Sequence, residues 1–303
     1  MSYRLIEGKF VLGYGRADDT RASQPDGDSI WFRANDPEKW KGIGTRAPVL
    51  SAGETVQLRL DGIDALELHF RGGHQRLDLA VAARDELIRK IGFREVVYAK
   101  NGIAVARAKR RMVPGHVLVR AIDDTPNGRP IVLAYAGKSP ARDGATIEPS
   151  PSLALQSVNA HLLRVGLAYP MLYDTLPEHV ERGFRQLVES ARYHALGLWA
   201  DGIDRTATWT RLGGPTHLAL HAIWPKLYRR LAEFMKLGKS LGKLDDWMAV
   251  DRDGRDDQMI IGGSTNGRLT DVIEVKDQAI RLRCDPIEIV VKSGATPVIG
   301  GGP

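Results

Sequence analysis

QLRLDGIDALE, residues 57–67, is the stretch of sequence that decides the fold. Apolar and polar side chains alternate over its first half, which is typical of a β-strand with one face in a core, and Arg59 and Asp61 fall on the polar face. The strand breaks at the following glycine, and Asp64 and Glu67 come three residues apart just after it. Because unpaired charges at the end of a strand cost free energy, this pattern indicates that a ligand binds there, either a metal ion or a phosphate group.

Two other segments bring charged side chains to strand ends. In PDGDSIWF (25–32), Asp26 and Asp28 flank a glycine in a tight turn that opens a strand. In NGRPIVLAY (127–135), a turn carries Arg129 into an apolar strand. We therefore expect acids from two separate segments to meet at one cation, with arginines facing the same place.

Taken in order, these blocks resemble the staphylococcal nuclease family. The family has Asp-Gly-Asp-Thr, then Arg-x4-Asp-Thr-Pro-Glu, then Gly-Arg before a strand, and a helical region that ends in Leu-x-x-Trp. The corresponding positions here are DGDS (26–29), Arg59 with Asp64 and Glu67, Gly128-Arg129, SVNAHLLRVGLA (157–168) and ALGLW (195–199). The resemblance covers roughly residues 9–199 and departs from the pattern at Ser29 and at Ala65-Leu66, where the family has Thr and Thr-Pro.

The resemblance implies an α+β fold whose core is a five-stranded OB-fold β-barrel. It also implies a metal-dependent endonuclease that hydrolyses phosphodiester bonds of DNA, and of RNA as a further substrate, with little sequence specificity and with 3′-phosphate ends. The metal would be held by the carboxylates of Asp28 and Asp64 and by the backbone carbonyl of Ala65. Calcium suits such an oxygen shell best, with Mg²⁺ or Mn²⁺ as alternatives.

The same resemblance assigns roles to the other polar residues. Glu67 would orient a water molecule or accept its proton, and Arg59 and Arg129 would grip phosphate oxygens with their planar guanidinium groups. Tyr173 and Asn127 stand near positions where the family has nucleic-acid-contacting tyrosines. Arg110 and Arg111 belong to the basic run RAKRR (107–111), for which a solvated loop is the favoured interpretation and a nucleic-acid contact the alternative.

Composition points in the same direction without deciding the function. The chain has 303 residues and a formal net charge of +6, which favours polyanionic partners such as nucleic acid. The one cysteine, Cys284, excludes an intramolecular disulfide and a zinc site built on paired cysteines. No stretch has the apolar length of a signal peptide core or a membrane span, so we expect a cytoplasmic protein with no membrane partner.

Three regions follow from the patterns along the chain. We predict a nuclease-like barrel domain at 1–204, a C-terminal α+β domain of open role at 205–292, and a flexible tail at 293–303. Predicted helices are 74–91, 152–165, 177–196 and 217–239, and predicted inward positions of the first strands are Phe10, Leu12, Ile30 and Phe32. A homodimer formed through the C-terminal region is left open.

Two alternatives also stay open. The chain is either a nuclease or a non-catalytic OB-fold module that binds nucleic acid or a protein. The basic face of the predicted helix around 226–243 either contacts a phosphate backbone or pairs with the acidic stretch 245–257. His217 and His221, four residues apart, favour packing or surface roles over a metal pair, because no third ligand is evident.

Overall fold

The computed structural model describes residues 2–13, 24–44, 46–51, 54–126, 128–250 and 256–293. The strands are β1 (Tyr3–Val11), β2 (Ser29–Ala34), β3 (Thr55–Leu60), β4 (Gly62–Asp64), β5 (Val97–Tyr98), β6 (Val105–Arg107), β7 (Met112–Ile122), β8 (Pro130–Ala136), β9 (Thr146–Ile147), β10 (Tyr169–Tyr173), β11 (Thr210–Arg211), β12 (Gln258–Ile261), β13 (Thr265–Arg268), β14 (Ile273–Lys276), β15 (Ala279–Leu282) and β16 (Ile289–Val291). The α-helices are α1 (Leu77–Ile91), α2 (Pro151–Gln156), α3 (Val158–Arg164), α4 (Glu178–Tyr193), α5 (Pro215–Leu218), α6 (Pro225–Met235), α7 (Leu244–Ala249) and α8 (Leu269–Val272).

Five strands close into a β-barrel. Strand β1 pairs with β2, β2 with β3, β3 with β8, β8 with β7, and β7 returns to β1, while β9 adds a short edge beside β1. The β3–β8 pair is parallel and the other pairs of the barrel are antiparallel. The prediction of an α+β fold with a five-stranded barrel core is therefore confirmed.

The barrel is filled by the inward side chains of its first strands. Phe10, Leu12, Ile30 and Phe32 are all buried, as the alternation of apolar residues predicts. The rings of Phe10 and Phe32 lie opposite each other in the β1–β2 register and meet edge to face, with centroids 5.2 Å apart. Such packed aromatic pairs add about 0.5–1.5 kcal/mol to the effect of their burial.

The helices that follow differ from their predicted bounds for local reasons. Helix α1 begins at Leu77 rather than at residue 74, because the backbone of Arg76 is not helical, with φ −43° and ψ 102°. The N–H of Gln75 donates to Glu67 O and holds the segment that precedes the helix. The predicted helix 152–165 is two helices, α2 and α3. Ser157 separates them with an extended backbone, and its side-chain oxygen accepts a hydrogen bond from Ala160 N, which caps α3.

The predicted helix 217–239 is wrong in its first half. The chain forms the short helix α5, then a connection, and then α6, which starts at Pro225. A proline fits the first turn of a helix but forces the preceding residue, Trp224, out of the helical conformation. Leu220, which lies within the predicted helix, is consequently 65% exposed in the connection, whereas Leu227 and Phe234 of α6 are buried.

A second sheet joins the C-terminal region to the barrel region. Its strand order is β13-β12-β16-β10-β4, with β10 antiparallel to β4 and parallel to β16. The regions predicted as 1–204 and 205–292 therefore share a sheet, and their division into domains stays a prediction. The predicted tail lies outside the described residues except for Ser293. Within the described ranges, no helix combines the length and the apolar character that crossing a membrane requires.

Candidate functional site

The Asp-Gly-Asp turn and the central strand meet at one end of the barrel. Ser29 of β2 pairs with Arg59 of β3, and Leu60 N donates to Asp28 O across a distance of 2.9 Å, which extends the ladder to the turn. The turn rests on Ala65, since a Cβ added to Gly27 would lie 2.5 Å from the Ala65 Cβ. Only glycine allows this close approach, and it places Asp28 beside the segment that carries Asp64.

A second glycine turns the chain into the site. Gly62 has a φ of +75°, a backbone conformation that L-residues with a side chain rarely adopt. A Cβ at this position would also lie 2.6 Å from the Phe184 ring. The glycine therefore bends the chain sharply between β3 and β4, and Asp64 arrives fully buried at the end of β4.

Four carboxylates gather at this end of the barrel. The pKa of Asp28 is raised to about 7, first by burial and then by the carboxylates of Asp64 and Glu67, while Arg59 and Arg229 act in the opposite direction. The pKa of Asp26 is also raised, by burial and then by Asp28 and Glu67. Burial and mutual repulsion thus disfavour the negative charge of Asp26 and Asp28, and a cation bound beside them would relieve this repulsion.

Arg59 faces the same cluster. Its Nη2 donates to the Tyr173 hydroxyl across 3.1 Å, and its guanidinium lies 5.9 Å from the centre of the Tyr173 ring. The pKa of Arg59 is raised by Tyr173 and then by the carboxylate of Asp64. Strand β10 runs antiparallel to β4, with Tyr169 opposite Asp64 and Met171 opposite Gly62, so Tyr173 lies further along, towards the end of β3 that carries Arg59. The structure therefore brings together Asp28, Asp64, Glu67, Arg59 and Tyr173.

A residue that the sequence analysis did not assign to the site occupies its centre. Arg229 of α6 donates from Nη1 to Asp64 Oδ1 at 3.0 Å and from Nη2 to Asp64 Oδ2 at 2.8 Å, a two-bond fork. The same Nη1 lies 2.5 Å from Glu67 Oε1. Burial lowers the pKa of Arg229, but Asp64 and Glu67 raise it by more, so the net shift is upward. The basic run around 226–243 was the available signal for this residue.

The remaining basic residues of that run are mostly paired. Lys226 and Arg230 both bind Asp257, at 2.8 Å and 3.1 Å, and Lys243 binds Asp246 at 3.1 Å. The acidic stretch is therefore the partner of this face, and the alternative that left the face open to a phosphate backbone is not favoured. His217 and His221 meet edge to face with ring centroids 5.0 Å apart.

Arg129 lies in a different environment from Arg59. Its Nε donates to Asp123 Oδ2 and its backbone N–H donates to Asp123 Oδ1, both at 3.0 Å, within the turn that precedes β8. Among the described residues, only Asp123 forms an ion pair with it. Arg110 and Arg111 are exposed, in agreement with a solvated loop, and Asn127 lies outside the described residues. The roles that the sequence analysis assigned to Arg129, Arg110, Arg111 and Asn127 stay predictions.

The donor chemistry of the cluster fits a hard divalent cation, but the present arrangement of its donors does not. Asp28 and Asp64 offer carboxylate oxygens, which calcium prefers, and Ala65 is 4% exposed beside them. Across the described parts of the chain, however, no three His, Cys, Asp or Glu side chains are placed to hold a metal ion. The guanidinium of Arg229 already takes the oxygens of Asp64 and Glu67.

Asp28→Asn is expected to stabilise the metal-free protein at neutral pH. A carboxyl whose pKa rises on folding from its ordinary value of 3.8 to about 7 costs stability increasingly as the pH rises between these values. Since one pKa unit corresponds to about 1.4 kcal/mol, we expect Asn to raise the free energy of unfolding at pH 8 by at least about 1 kcal/mol. Urea unfolding at pH 5 and pH 8 with a chelator measures this, and a variant less stable than the parent at pH 8 contradicts it.

No protein-family model matches this chain, and no curated protein matches it either. The staphylococcal nuclease resemblance therefore stays a prediction that depends on the quoted blocks and their order.

Proposed function

We propose that this protein is a metal-dependent endonuclease that hydrolyses phosphodiester bonds of nucleic acid with little sequence specificity. The observation that carries the proposal is the convergence of Asp28, Asp64, Glu67 and Arg59 at one end of a five-stranded barrel. These side chains come from two separate segments of the chain, 26–29 and 57–67, so their meeting depends on the fold and not on one local turn.

The residues divide the work by their chemistry. Hydrolysis requires neutralisation of the phosphate, a positioned water molecule and stabilisation of the charge that develops on phosphorus-bound oxygens. Arg59 binds a phosphate oxygen, and Glu67 orients the water molecule or accepts its proton. Asp28 and Asp64, with the Ala65 carbonyl, would hold a Ca²⁺, Mg²⁺ or Mn²⁺ ion, which when bound supplies further charge neutralisation.

In the proposed nuclease, Tyr173 and Arg129 would also contact the nucleic acid. Tyr173 lies next to Arg59, so a nucleotide whose phosphate contacts Arg59 has an aromatic ring beside it for stacking. Arg129 contacts a phosphate only after leaving Asp123. By resemblance, cleavage breaks the bond to the 5′ oxygen and leaves 3′-phosphate ends.

A non-catalytic OB-fold module is the second candidate, and one observation favours it. Arg229 forms ion pairs with Asp64 and Glu67, the two acids on which catalysis would depend most directly. A module of this kind would bind nucleic acid or a protein through the barrel and its basic loops, with an affinity for nucleic acid that falls steeply with salt.

Cleavage of nucleic acid separates the two candidates. Purified protein is incubated with supercoiled plasmid, single-stranded DNA and single-stranded RNA, in Ca²⁺, Mg²⁺ or Mn²⁺ and in excess chelator. The nuclease produces fragments only when the metal ion is present. The 5′ ends of these fragments accept a phosphate label, whereas their 3′ ends do not, because they already carry phosphate. Salt-sensitive binding without fragments in any metal contradicts the proposal and supports the binding module.

A further inference from the structure

We infer that Arg229 is an intramolecular cation that closes the carboxylate cluster, and that a divalent ion enters the cluster only when this guanidinium swings out. The inference rests on the proposed function for the identity of the ion, but not for the occupancy of the site by Arg229. It gives the C-terminal region a role as an autoinhibitory element of the barrel.

The contacts of Arg229 are those of a cation ligated by the cluster. Its two Nη atoms bind both oxygens of Asp64, and one of them also binds Glu67. Arg229 and Glu67 are separated by 162 residues in sequence, so the contact depends on the tertiary fold. A divalent ion bound to Asp64 would be a close neighbour of the Arg229 guanidinium. The positive charges of the ion and the guanidinium would repel each other strongly in this partly buried site.

The carboxylates of the cluster outnumber its guanidinium groups, which favours the binding of a divalent ion. Within the described part of the chain, four carboxylates (Asp26, Asp28, Asp64 and Glu67) face two guanidinium groups, those of Arg59 and Arg229. The carboxylate of Asp28 forms no hydrogen bond or ion pair with any described residue, although the carboxylates of Asp64 and Glu67 lie close enough to raise its pKa. Arg229 therefore closes the cluster without neutralising it.

Helix α6, which carries Arg229, is held in place by buried residues, whereas the Arg229 side chain is partly exposed to solvent. Leu227, Leu231 and Phe234 anchor α6 in the core, and the Tyr228 hydroxyl donates to His74 O at 2.9 Å. The Arg229 side chain is 20% exposed, so the guanidinium reaches solvent by rotation about its own bonds while the helix stays in place. The movement required is a change of side-chain rotamer.

Calcium binding to the whole chain tests the inference without nucleic acid. If Arg229 occupies the cluster in at least nine of ten molecules, the apparent affinity for Ca²⁺ is reduced at least tenfold, and Arg229→Ala restores it. Isothermal titration of Ca²⁺ should therefore give at least tenfold tighter binding for Arg229→Ala and for Arg229→Gln than for the parent. Arg229→Lys, which keeps the charge, should stay near the parent.

Arg230→Ala is the matched control, because Arg230 follows on the same helix and its side chain is 19% exposed in its own ion pair with Asp257. It should bind Ca²⁺ like the parent. Equal Ca²⁺ affinity of the parent, Arg229→Ala and Arg229→Gln overturns the inference, and so does an equal gain in Arg230→Ala.

A measurement on the unchanged protein covers the case in which the uncharged variants do not fold. Arginine Nε–Hε NMR signals follow each guanidinium during a Ca²⁺ titration, with the Arg229 signal identified by its loss in Arg229→Lys. The Arg229 signal should shift or broaden on adding Ca²⁺, while the signal of the buried Arg120 stays unchanged. An Arg229 signal that is unaffected up to tens of millimolar Ca²⁺ contradicts the inference. Gain of Ca²⁺ binding without any cleavage leaves the inference standing and rejects the proposed nuclease.

Discussion

Glu67→Gln is expected to lower the turnover of nucleic-acid cleavage by roughly 100- to 1,000-fold while the protein stays folded. Glutamine keeps the size of the side chain and a hydrogen bond to Arg229, but it cannot accept a proton or hold a water molecule with a full negative charge. The Michaelis constant should change little, because Arg59 rather than Glu67 binds the ground-state phosphate. Initial rates on a single-stranded oligonucleotide with Ca²⁺ measure both constants.

Glu181→Gln is a suitable control for this substitution. Glu181 also pairs with an arginine, Arg185, at 2.8 Å, and its side chain is 24% exposed against 14% for Glu67. It lies on α4, outside the cluster, and its variant should cleave at the parental rate. Undiminished cleavage by Glu67→Gln would remove Glu67 from the proposed mechanism, and an equal loss in both variants would point to a general effect on folding.

Asp61→Ala is expected to destabilise the protein by about 3–5 kcal/mol, the usual cost of leaving one partner of a buried ion pair alone. Asp61 Oδ2 accepts from Arg120 Nε at 2.6 Å, and Asp61 Oδ1 accepts from Arg120 Nη2 at 2.9 Å. Both side chains are fully buried, and Thr175 is the other hydrogen-bond partner of the guanidinium. Without the carboxylate, Arg120 keeps its charge in the core with no ion-pair partner among the residues that the structure describes.

The double variant Asp61→Leu with Arg120→Met separates the cost of the unpaired charge from the value of the pair. Because it removes both charges, we expect it to be considerably more stable than Asp61→Ala. Glu38→Ala, which breaks an exposed pair with Lys41, should change the free energy of unfolding by no more than about 0.5 kcal/mol. Urea unfolding curves measure all three, and a loss below 1 kcal/mol in Asp61→Ala contradicts the prediction.

The first strands of the barrel were predictable because they carry their signals locally, whereas the five-stranded barrel itself was what the resemblance implied. The apolar alternation of β1 to β3 and the breaks at Gly27 and Gly62 are each visible within a few residues, and each is required by close packing in the structure. The ends of helices were less predictable, because they depend on hydrogen bonds that a periodicity does not reveal. Ser157 is an example, since its side chain caps a helix inside what reads as one continuous apolar stripe.

Charged residues in the core were the least predictable. Asp61 was assigned to the polar face of β3, yet it is buried, because its partner Arg120 lies within the apolar strand β7 and 59 residues away in sequence. Arg229 was likewise recognised only as part of a basic face. Local patterns register the charge of such residues, whereas their partners are determined by the tertiary fold.

Asp28, Asp64, Glu67 and Arg59 were predictable together because the spacing within each block fixed their positions on strand ends. Arg129 had a similar spacing signal, but no local pattern indicated that Asp123, six residues earlier, would bind both its backbone and its side chain. A competing local partner of this kind is invisible until the turn geometry is known.

The C-terminal region covers one flank of strand β10 in the sheet that it shares with the barrel region. Strand β10 has β4 on one side and β16 on the other, so removal of the last third of the chain would strip one flank of β10 of its hydrogen-bonding neighbour. An exposed flank that is apolar and flat invites pairing with another molecule. A barrel without the C-terminal region would therefore need another element to cover that flank of β10.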